Sequence, residues 1–149
     1  MEKKPQDPRP PDEIVQPAKE EAIPALVEFT TTQAWEAGFD DERIRGIGLA
    51  VDEALRNILE FARFDGDGEI RVSISTHDSG AMIIHIVDNG APFNMLLAGT
   101  FPEVEKALES GPMPSTKVMK KAIKNIEYIR GTNKNMLIFT VSPLGKVRV

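Results

Sequence analysis

Two short motifs carry the residues whose types and spacing could do chemistry. The first, AVDEALRN, places Glu53 and Asn57 four residues apart, so a helix would bring them to the same side, about 40° apart around its axis. A carboxylate can act as a general base, and an amide oxygen is a hard ligand suited to Mg²⁺. The second motif, IVDNGAPFN, holds Asp88 where a β-like run ends, two residues before Gly90. A carboxylate beside a residue without a side chain suits recognition of an exocyclic amine such as adenine N6.

Each motif also has an ordinary structural interpretation. Glu53 and Asn57 could lie by chance on a solvated helix face, and Asp-Asn-Gly is a common turn sequence. A long irregular segment follows the second motif, where a simple hairpin would have a partner strand. The two motifs in this order therefore favour a nucleotide-holding module over two unrelated features.

Two helices are predicted before and around the first motif. Helical periodicity runs from about Ala18 to Ala37, and the position of Pro24 suits a helix that properly begins near Ile23. Gly38 is then a suitable C-terminal stop. The second helix is predicted from about Asp41 to Ala62, with a cap from the preceding acid.

The second helix is predicted to present Glu53 and Asn57 opposite its aliphatic stripe. Gly46 and Ala50 precede them on the same side of the helix. Because both residues are small, we expect a low surface there that a ligand can approach.

Alternating apolar residues predict the strands of a sheet. Glu69 to Thr76 and Ala81 to Val87 are joined by a hairpin signal at Asp78-Ser79-Gly80. The dense apolar content of the second of these strands indicates a central position in the sheet. Further strands are predicted at Met136 to Val141 and at Lys146 to Val149.

The remaining elements complete a prediction of fold class. Residues 89–114 read as a long loop with a short capped helix at EVEKALES, and Ser115 to about Ile129 reads as a third long helix. The order predicts an α+β fold: a two-layer sandwich with three main helices on one face of a mostly antiparallel mixed sheet of about four to five strands.

Composition limits the class of protein. The chain has 149 residues, 41% of them hydrophobic and 28% charged, with a net charge of −5 and no cysteine. These values predict one globular domain, residues 14–149, without disulfides or thiolate metal sites, and they argue against direct nucleic-acid binding. Residues 1–13 are rich in proline and predict a disordered tail. The absence of a long apolar run or signal-like start argues against a membrane and fits a cytoplasmic protein.

The two motifs and the order of elements resemble a known group of domains. They are similar to the Bergerat-fold (GHKL) ATP-binding domains, which include gyrase, histidine kinases and mismatch-repair ATPases. Within that group the chain most resembles the small anti-sigma-factor serine kinases of bacteria, over about Ile23 to Val141. The family's "Glu-Ala…Asn" box is matched at Glu53 and Asn57, and its "Asp-x-Gly-x-Pro-Phe" box by Asp88, Gly90, Pro92 and Phe93.

The resemblance implies a role for each matched residue. Glu53 would be the catalytic base that activates a substrate hydroxyl or a water, and Asn57 would hold Mg²⁺ against the phosphates of ATP. Asp88 would bind the adenine amino group, Gly90 would let the base approach, and Pro92 would be among the residues that bind the nucleotide.

The family's glycine box is degenerate in this chain. Its two glycine positions fall near Met113 and Ser115, within GPMPSTK. Adjacent glycines let backbone N–H groups wrap phosphates, whereas Pro112 and Pro114 lack that donor. Ser115, Thr116 and Lys117 would then bind the phosphates in a reduced cradle at the start of the third helix.

Three other features have weaker functional interpretations. Lys117, Lys120, Lys121 and Lys124 form one helical stripe, either a solvated basic face or a surface for an anion. His77 and His85 have no second nitrogen ligand at metal-like spacing and are predicted to be structural. Trp35 and Met95–Leu97 are interpreted as core and lid packing, with a contact surface as the alternative.

The sequence therefore supports three hypotheses. The first is an anti-sigma-like regulator that binds ATP with Mg²⁺ and phosphorylates a serine on an antagonist protein. The second is a nucleotide-independent interaction module that sequesters a sigma factor or a related regulator. The third, the catalytic half of a histidine kinase, ranks last because no phosphoacceptor helical hairpin is recognised. Retention of kinase activity and formation of a homodimer are left open.

Overall fold

The structure, a computed structural model, describes residues 12–97 and 113–143. Three helices pack on one face of a five-stranded sheet. The strands are β1 (Asp12–Pro17), β2 (Glu69–Thr76), β3 (Met82–Asp88), β4 (Asn125–Gly131) and β5 (Lys134–Val141). The helices are α1 (Ile23–Glu36), α2 (Asp41–Phe61) and α3 (Lys117–Ala122). The predicted α+β two-layer class is confirmed.

The order of strands places β3 in the middle of the sheet. The order is β1-β2-β3-β5-β4, and each neighbouring pair of the described strands is antiparallel, with no parallel pair among them. The central position of β3 confirms the expectation from its apolar content. In the register between β3 and β5, Asp88 lies opposite Asn135, which brings two polar side chains to the same end of the sheet.

The core lies between the sheet and the helices. Alternate residues of β2, β3 and β5 are buried, as expected for strands with one covered face. The fully buried residues with the largest side chains come from all layers: Phe139, Leu26, Ile47, Leu55, Ile58, Ile70, Met82, Ile84, Ile86 and Met119. This core fixes α2 against the sheet and thereby sets the distance between the two motifs.

The start of α2 is fixed by its predicted cap. Asp40 has extended backbone, and its carboxylate accepts a hydrogen bond of 2.8 Å from the backbone N–H of Arg43. The acidic residues of the first turn, Asp41 and Glu42, also interact favourably with the helix dipole. Gly38 has a φ of +94°, which only glycine adopts without strain, so α1 ends before it as predicted.

The cap gives a stability prediction. Asp40→Ala is expected to lower the free energy of unfolding by about 1 kcal/mol, because the backbone N–H of Arg43 loses its acceptor. Urea unfolding followed by circular dichroism measures the change. Asp41→Ala is the matched control, since it removes an equal charge that does not cap. Equal losses in the two variants would show that charge, not the cap, stabilises the helix.

The third helix is much shorter than predicted. The prediction ran from Ser115 to about Ile129, but α3 ends at Ala122, where Ile123 turns to extended backbone (φ −120°, ψ 122°). The next residues form β4, in which Ile126 and Tyr128 alternate with exposed neighbours. The position of Ile126 is compatible with a helical spacing and with the alternation of a strand. The segment forms a strand because it pairs with β5.

Strand β1 was not predicted at all. It pairs with β2 from Asp12, so residues 12 and 13 belong to the sheet and not to the tail. Trp35 was also misplaced: it is 69% exposed, because it follows the last buried position of α1, Ala34, by one residue. The rest of the proposed tail, the helix at EVEKALES and the strand at 146–149 lie outside the described residues.

Candidate functional site

The Glu53 carboxylate is bound to the segment that begins α3. Ser115 Oγ donates to it at 3.1 Å, and the backbone N–H of Met119 donates at 2.8 Å. A longer bond of 3.4 Å comes from the N–H of Val118. Glu53, on α2, therefore accepts hydrogen bonds from N–H groups at the start of α3 that have no partner within that helix. A capping residue usually does this.

Asn57 lies one turn further along α2 and faces the same segment. Its amide nitrogen donates to the carbonyl of Ser115 at 2.8 Å and contacts the sulfur of Met95 at 3.5 Å. The residue is buried, and its Oδ1 accepts no hydrogen bond from the described residues. The structure thus brings Glu53, Asn57 and Ser115 together.

The small residues of α2 have a different use from the one expected. A Cβ added to Gly46 would lie 3.4 Å from the Cβ of Ala122, and Ala50 is fully buried. The surface of α2 at Gly46 is therefore covered by α3 of the same chain. The expectation that a ligand can approach α2 there is wrong. Small residues allow two helices to approach closely, and that packing explains Gly46.

Asp88 ends β3 and is buried, with 3% of its surface exposed. Its Oδ1 accepts hydrogen bonds of 2.9 Å from the backbone N–H of Gly90 and from the amide of Asn135. Burial raises the pKa of Asp88, while these two hydrogen bonds and the charge of Arg130 act in the opposite direction. Its Oδ2 accepts no hydrogen bond from the residues that the structure describes.

The turn after Asp88 is held firmly against the end of α2. The N–H of Ala91 donates to the carbonyl of Arg63 at 2.7 Å, and the Arg130 guanidinium donates to the carbonyl of Gly90 at 2.8 Å. A Cβ at Gly90 would lie 3.0 Å from the Arg63 carbonyl oxygen. The backbone that approaches Gly90 is therefore the protein's own, and Pro92 is exposed beside it.

The two motifs are joined by packed side chains. The rings of Phe61 on α2 and Phe93 stack with centroids 5.9 Å apart. The sulfur of Met95, two residues after Phe93, contacts the amide nitrogen of Asn57. A cavity of about 380 Å³ lies beside the turn and is lined in part by Gly90, Arg63 and Arg130. A second cavity, of about 270 Å³, is lined in part by Asp88. Neither of these two cavities is lined by Glu53 or Asn57.

The predicted phosphate-binding residues differ in exposure. Ser115 and Lys117 are exposed, whereas Thr116 is 5% exposed. Lys120 Nζ donates a hydrogen bond of 3.4 Å to the carbonyl of Leu96, so one of the four lysines contacts the segment Met95–Leu97. Ser115, which is bonded to Glu53, and Lys117 are thus open to solvent, and Thr116 is not.

Sequence reasoning missed the residues that surround Asp88 from β4 and β5. Asn135 contacts Asp88 directly, and Tyr128 and Arg130 contact Asn135. The signal that could have found Asn135 is its position opposite Asp88 in an antiparallel pair.

The histidines and the acidic residues show no metal centre in the described ranges. No group of three or more His, Cys, Asp or Glu side chains there could hold a metal ion. His85 is half-buried on β3, and burial lowers its pKa.

Comparison with solved structures shows a shared fold. The RsbU and RsbW domains of Rv1364c from Mycobacterium tuberculosis match with a TM-score of 0.64 and 17% identity, over 91% of this chain and 33% of that one. A blue-light activated histidine kinase from Erythrobacter litoralis EL346 matches with a TM-score of 0.54 and 16% identity, over 70% of this chain and 32% of that one. The chain thus spans about a third of each of these proteins.

Sequence comparisons identify the family. None of the curated proteins matches the chain significantly, and no described helix is long and apolar enough to cross a membrane. The family model of the histidine kinase-like ATPase domain matches residues 16–141, a range that contains both motifs. The chain belongs to the histidine kinase-like ATPase domain family.

Proposed function

We propose that this domain binds ATP with Mg²⁺ and is a regulator of the anti-sigma-factor type that phosphorylates a serine on an antagonist protein. The observation that carries the proposal is the state of Asp88. Its carboxylate is buried, one oxygen holds two hydrogen bonds, and Oδ2 has no donor among the described residues. No buried side-chain oxygen of the described residues lacks a partner, so Oδ2 still reaches solvent, and an amino group of a nucleobase would supply its donor there.

The residues around Asn57 fit a magnesium ion held with the phosphates. Mg²⁺ is commonly bound by one or two protein oxygens, with phosphate oxygens and waters as its other ligands. Asn57 offers one amide oxygen that the described protein groups do not use. Mg²⁺ would neutralise charge on the phosphates and orient them.

Glu53 would take the proton of the acceptor serine. The γ-phosphoryl group would pass to the serine oxygen, its bond to the β-phosphate oxygen would break, and ADP would leave. For this reaction Glu53 must release the N–H groups of Val118 and Met119, because its oxygens are engaged there in the structure. Ser115 and Lys117 lie next to those groups and would contact the phosphates.

The proposed class of regulator has support at two levels. Family membership supports nucleotide binding. The fold shared with the structure that contains an RsbW domain is in keeping with the likeness of the two motifs to anti-sigma-factor kinases. The protein partner would be a sigma factor or an antagonist of the anti-sigma activity.

Calorimetric titration with ADP tests the proposed function. In the presence of Mg²⁺ we expect saturable binding with one site per chain, weaker when Mg²⁺ is removed by EDTA, because Asn57 would hold the ion that neutralises the charge of the phosphates. GDP is the control ligand, since its base presents a carbonyl where adenine has its amino group. Absence of both binding heat and a thermal shift at millimolar ADP would rule out nucleotide binding.

A second function is favoured by the contacts of α3. Glu53 and Asn57 are already bonded to Ser115 and its neighbours, and prolines flank the position of the glycine box. Both observations support a nucleotide-independent module that sequesters a protein partner. Capture of a sigma factor by nucleotide-free protein, unchanged in Glu53→Ala, would favour this function, whereas release by ATP would favour the first.

A further inference from the structure

Asn135 ties the Asp88 carboxylate to the turn that follows it. The residue lies on β5 opposite Asp88 and is 3% exposed. Its amide nitrogen donates to Asp88 Oδ1 at 2.9 Å and to the carbonyl of Ala91 at 2.8 Å. One buried side chain therefore holds both the carboxylate and the backbone of the second motif.

The orientation of the Asn135 amide is determined from its other side. Its Oδ1 accepts hydrogen bonds from the hydroxyl of Tyr128 at 2.5 Å and from the backbone N–H of Phe93 at 3.0 Å. The Arg130 guanidinium lies 3.3 Å away and also donates. Backbone N–H and guanidinium groups cannot accept hydrogen bonds, so a flipped amide would set its own N–H groups against them. The amide must present its donors to Asp88.

This arrangement leaves the two oxygens of Asp88 in different states. Oδ1 receives the N–H of Gly90 and the amide of Asn135, and rotation of the carboxylate would break both bonds. We propose that Asn135 is a positioning residue for nucleotide recognition, which locks the Asp88 carboxylate so that Oδ2 is presented to the amino group of the base. The inference rests on the proposed function and deepens it.

The same contacts predict an effect of pH. Burial raises the pKa of Asp88, and the hydrogen bond from Asn135 is the first of the effects that lower it. The others are the N–H of Gly90 and the charge of Arg130 from β4. Tyr128, also from β4, reaches Asn135 by its hydroxyl. Loss of the Asn135 donor is therefore expected to raise the pKa of Asp88 further, and binding should fail at a higher pH as the solution is acidified.

Asn135→Asp tests the inference, because it keeps the shape and replaces the donor by an acceptor. Titration with Mg²⁺–ADP between pH 5 and 8 is expected to show roughly tenfold weaker binding near neutral pH, with the midpoint of the acid loss shifted upward. Asn125→Asp, the same change at an exposed position of β4, is expected to bind like the unaltered protein. Asn135→Ala is the second variant, with the same expected weakening and upward shift of the midpoint. Because it adds no charge beside Asp88, it separates loss of the donor from the repulsion that the new carboxylate of Asn135→Asp would add.

The outcomes separate the inference from the proposed function. If the unaltered protein binds ADP and the folded Asn135 variants show the same affinity and the same pH midpoint, the positioning role is wrong and the proposed function stands. If the unaltered protein does not bind ADP, the proposed function fails and the inference fails with it. If binding is weaker but the pH midpoint of the acid loss is unchanged, the positioning role is also wrong, because loss of the Asn135 hydrogen bond must change the pKa of Asp88.

Discussion

Asp88→Asn weakens Mg²⁺–ADP binding by roughly 10- to 100-fold, the loss expected for one hydrogen bond to a charged acceptor. The amide of the variant would oppose the amino group of the base with a donor of its own. The fold is expected to persist, because the amide oxygen can still accept the hydrogen bonds of 2.9 Å from Gly90 and Asn135. Calorimetry gives the affinity, and circular dichroism verifies the fold.

The same variant should not lose stability at neutral pH. Burial raises the pKa of Asp88 above its ordinary value, so between the two values the folded state binds more protons than the unfolded state. The free energy of unfolding of the unaltered protein therefore falls as pH rises through that window. Asparagine does not ionise, so Asp88→Asn should gain relative stability from acidic to neutral pH, as measured by urea unfolding across that range.

Asp78→Asn is the matched control for both measurements, because Asp78 is exposed in the hairpin between β2 and β3. It is expected to change neither the affinity nor the pH dependence of unfolding. A variant at Asp88 that binds ADP normally would remove the assignment of this carboxylate to the base. A strong loss of stability at neutral pH would show instead that its charge holds the turn.

Glu53→Gln separates the structural role of Glu53 from its proposed chemical role. The amide oxygen can still accept the N–H of Met119, but it cannot take a proton from a serine, so phosphorylation of the partner should be abolished. Removal of a negative charge beside the proposed phosphate position is expected to tighten Mg²⁺–ADP binding several-fold. Phosphate transfer to a purified partner and calorimetry measure the two effects.

Unlike Glu53→Gln, Glu53→Ala is also expected to lower the free energy of unfolding of the domain. It removes the bonds to Ser115 and to the first N–H groups of α3, a loss of about 1 kcal/mol by analogy with capping residues. Asp52→Ala is the matched control: its carboxylate pairs with Arg56 at 3.0 Å on an exposed face, and such pairs contribute little. Full kinase activity in Glu53→Gln would contradict the assignment of the base.

The elements that the sequence predicted well are those with local signals. Helix α2 has a cap at Asp40, an apolar stripe and a breaker after it, and its observed end lies within one residue of the predicted one. Strands β2 and β3 alternate over their whole length around a hairpin signal. In each case the signals that define the element lie within it or next to it in sequence, so pattern and propensity suffice to predict it.

The elements that it predicted poorly depend on distant pairing. Strand β1 has few apolar residues, and it forms because it completes the hydrogen bonds of β2, far along the chain. The segment around Ile126 was assigned to a helix because its apolar spacing continues that of α3, whereas β5 draws it into the sheet. Neither the formation of β1 nor the choice between helix and strand around Ile126 can be predicted from local sequence alone.

The residues of the candidate site also fall into those that local patterns predict and those that depend on distant contacts. Asp88 was expected at the end of a strand, and Glu53 and Asn57 on one side of a helix, and the structure has them there. Asn135 was missed because its importance depends on the register between β3 and β5. The close contact of Gly46 with Ala122 was missed because it requires the position of α3.

The claim that the two motifs serve one ligand is tested most directly by nuclear magnetic resonance. A ¹⁵N-labelled sample would be titrated with Mg²⁺–ADP while three signals are followed: the backbone amides of Gly90 and Met119 and the side-chain amide of Asn57. We expect all three to shift along a single binding curve, because the base would lie at Asp88 and the phosphates between Asn57 and α3. Shifts confined to one of the two groups, or no shifts at saturating ADP, would contradict a shared nucleotide site.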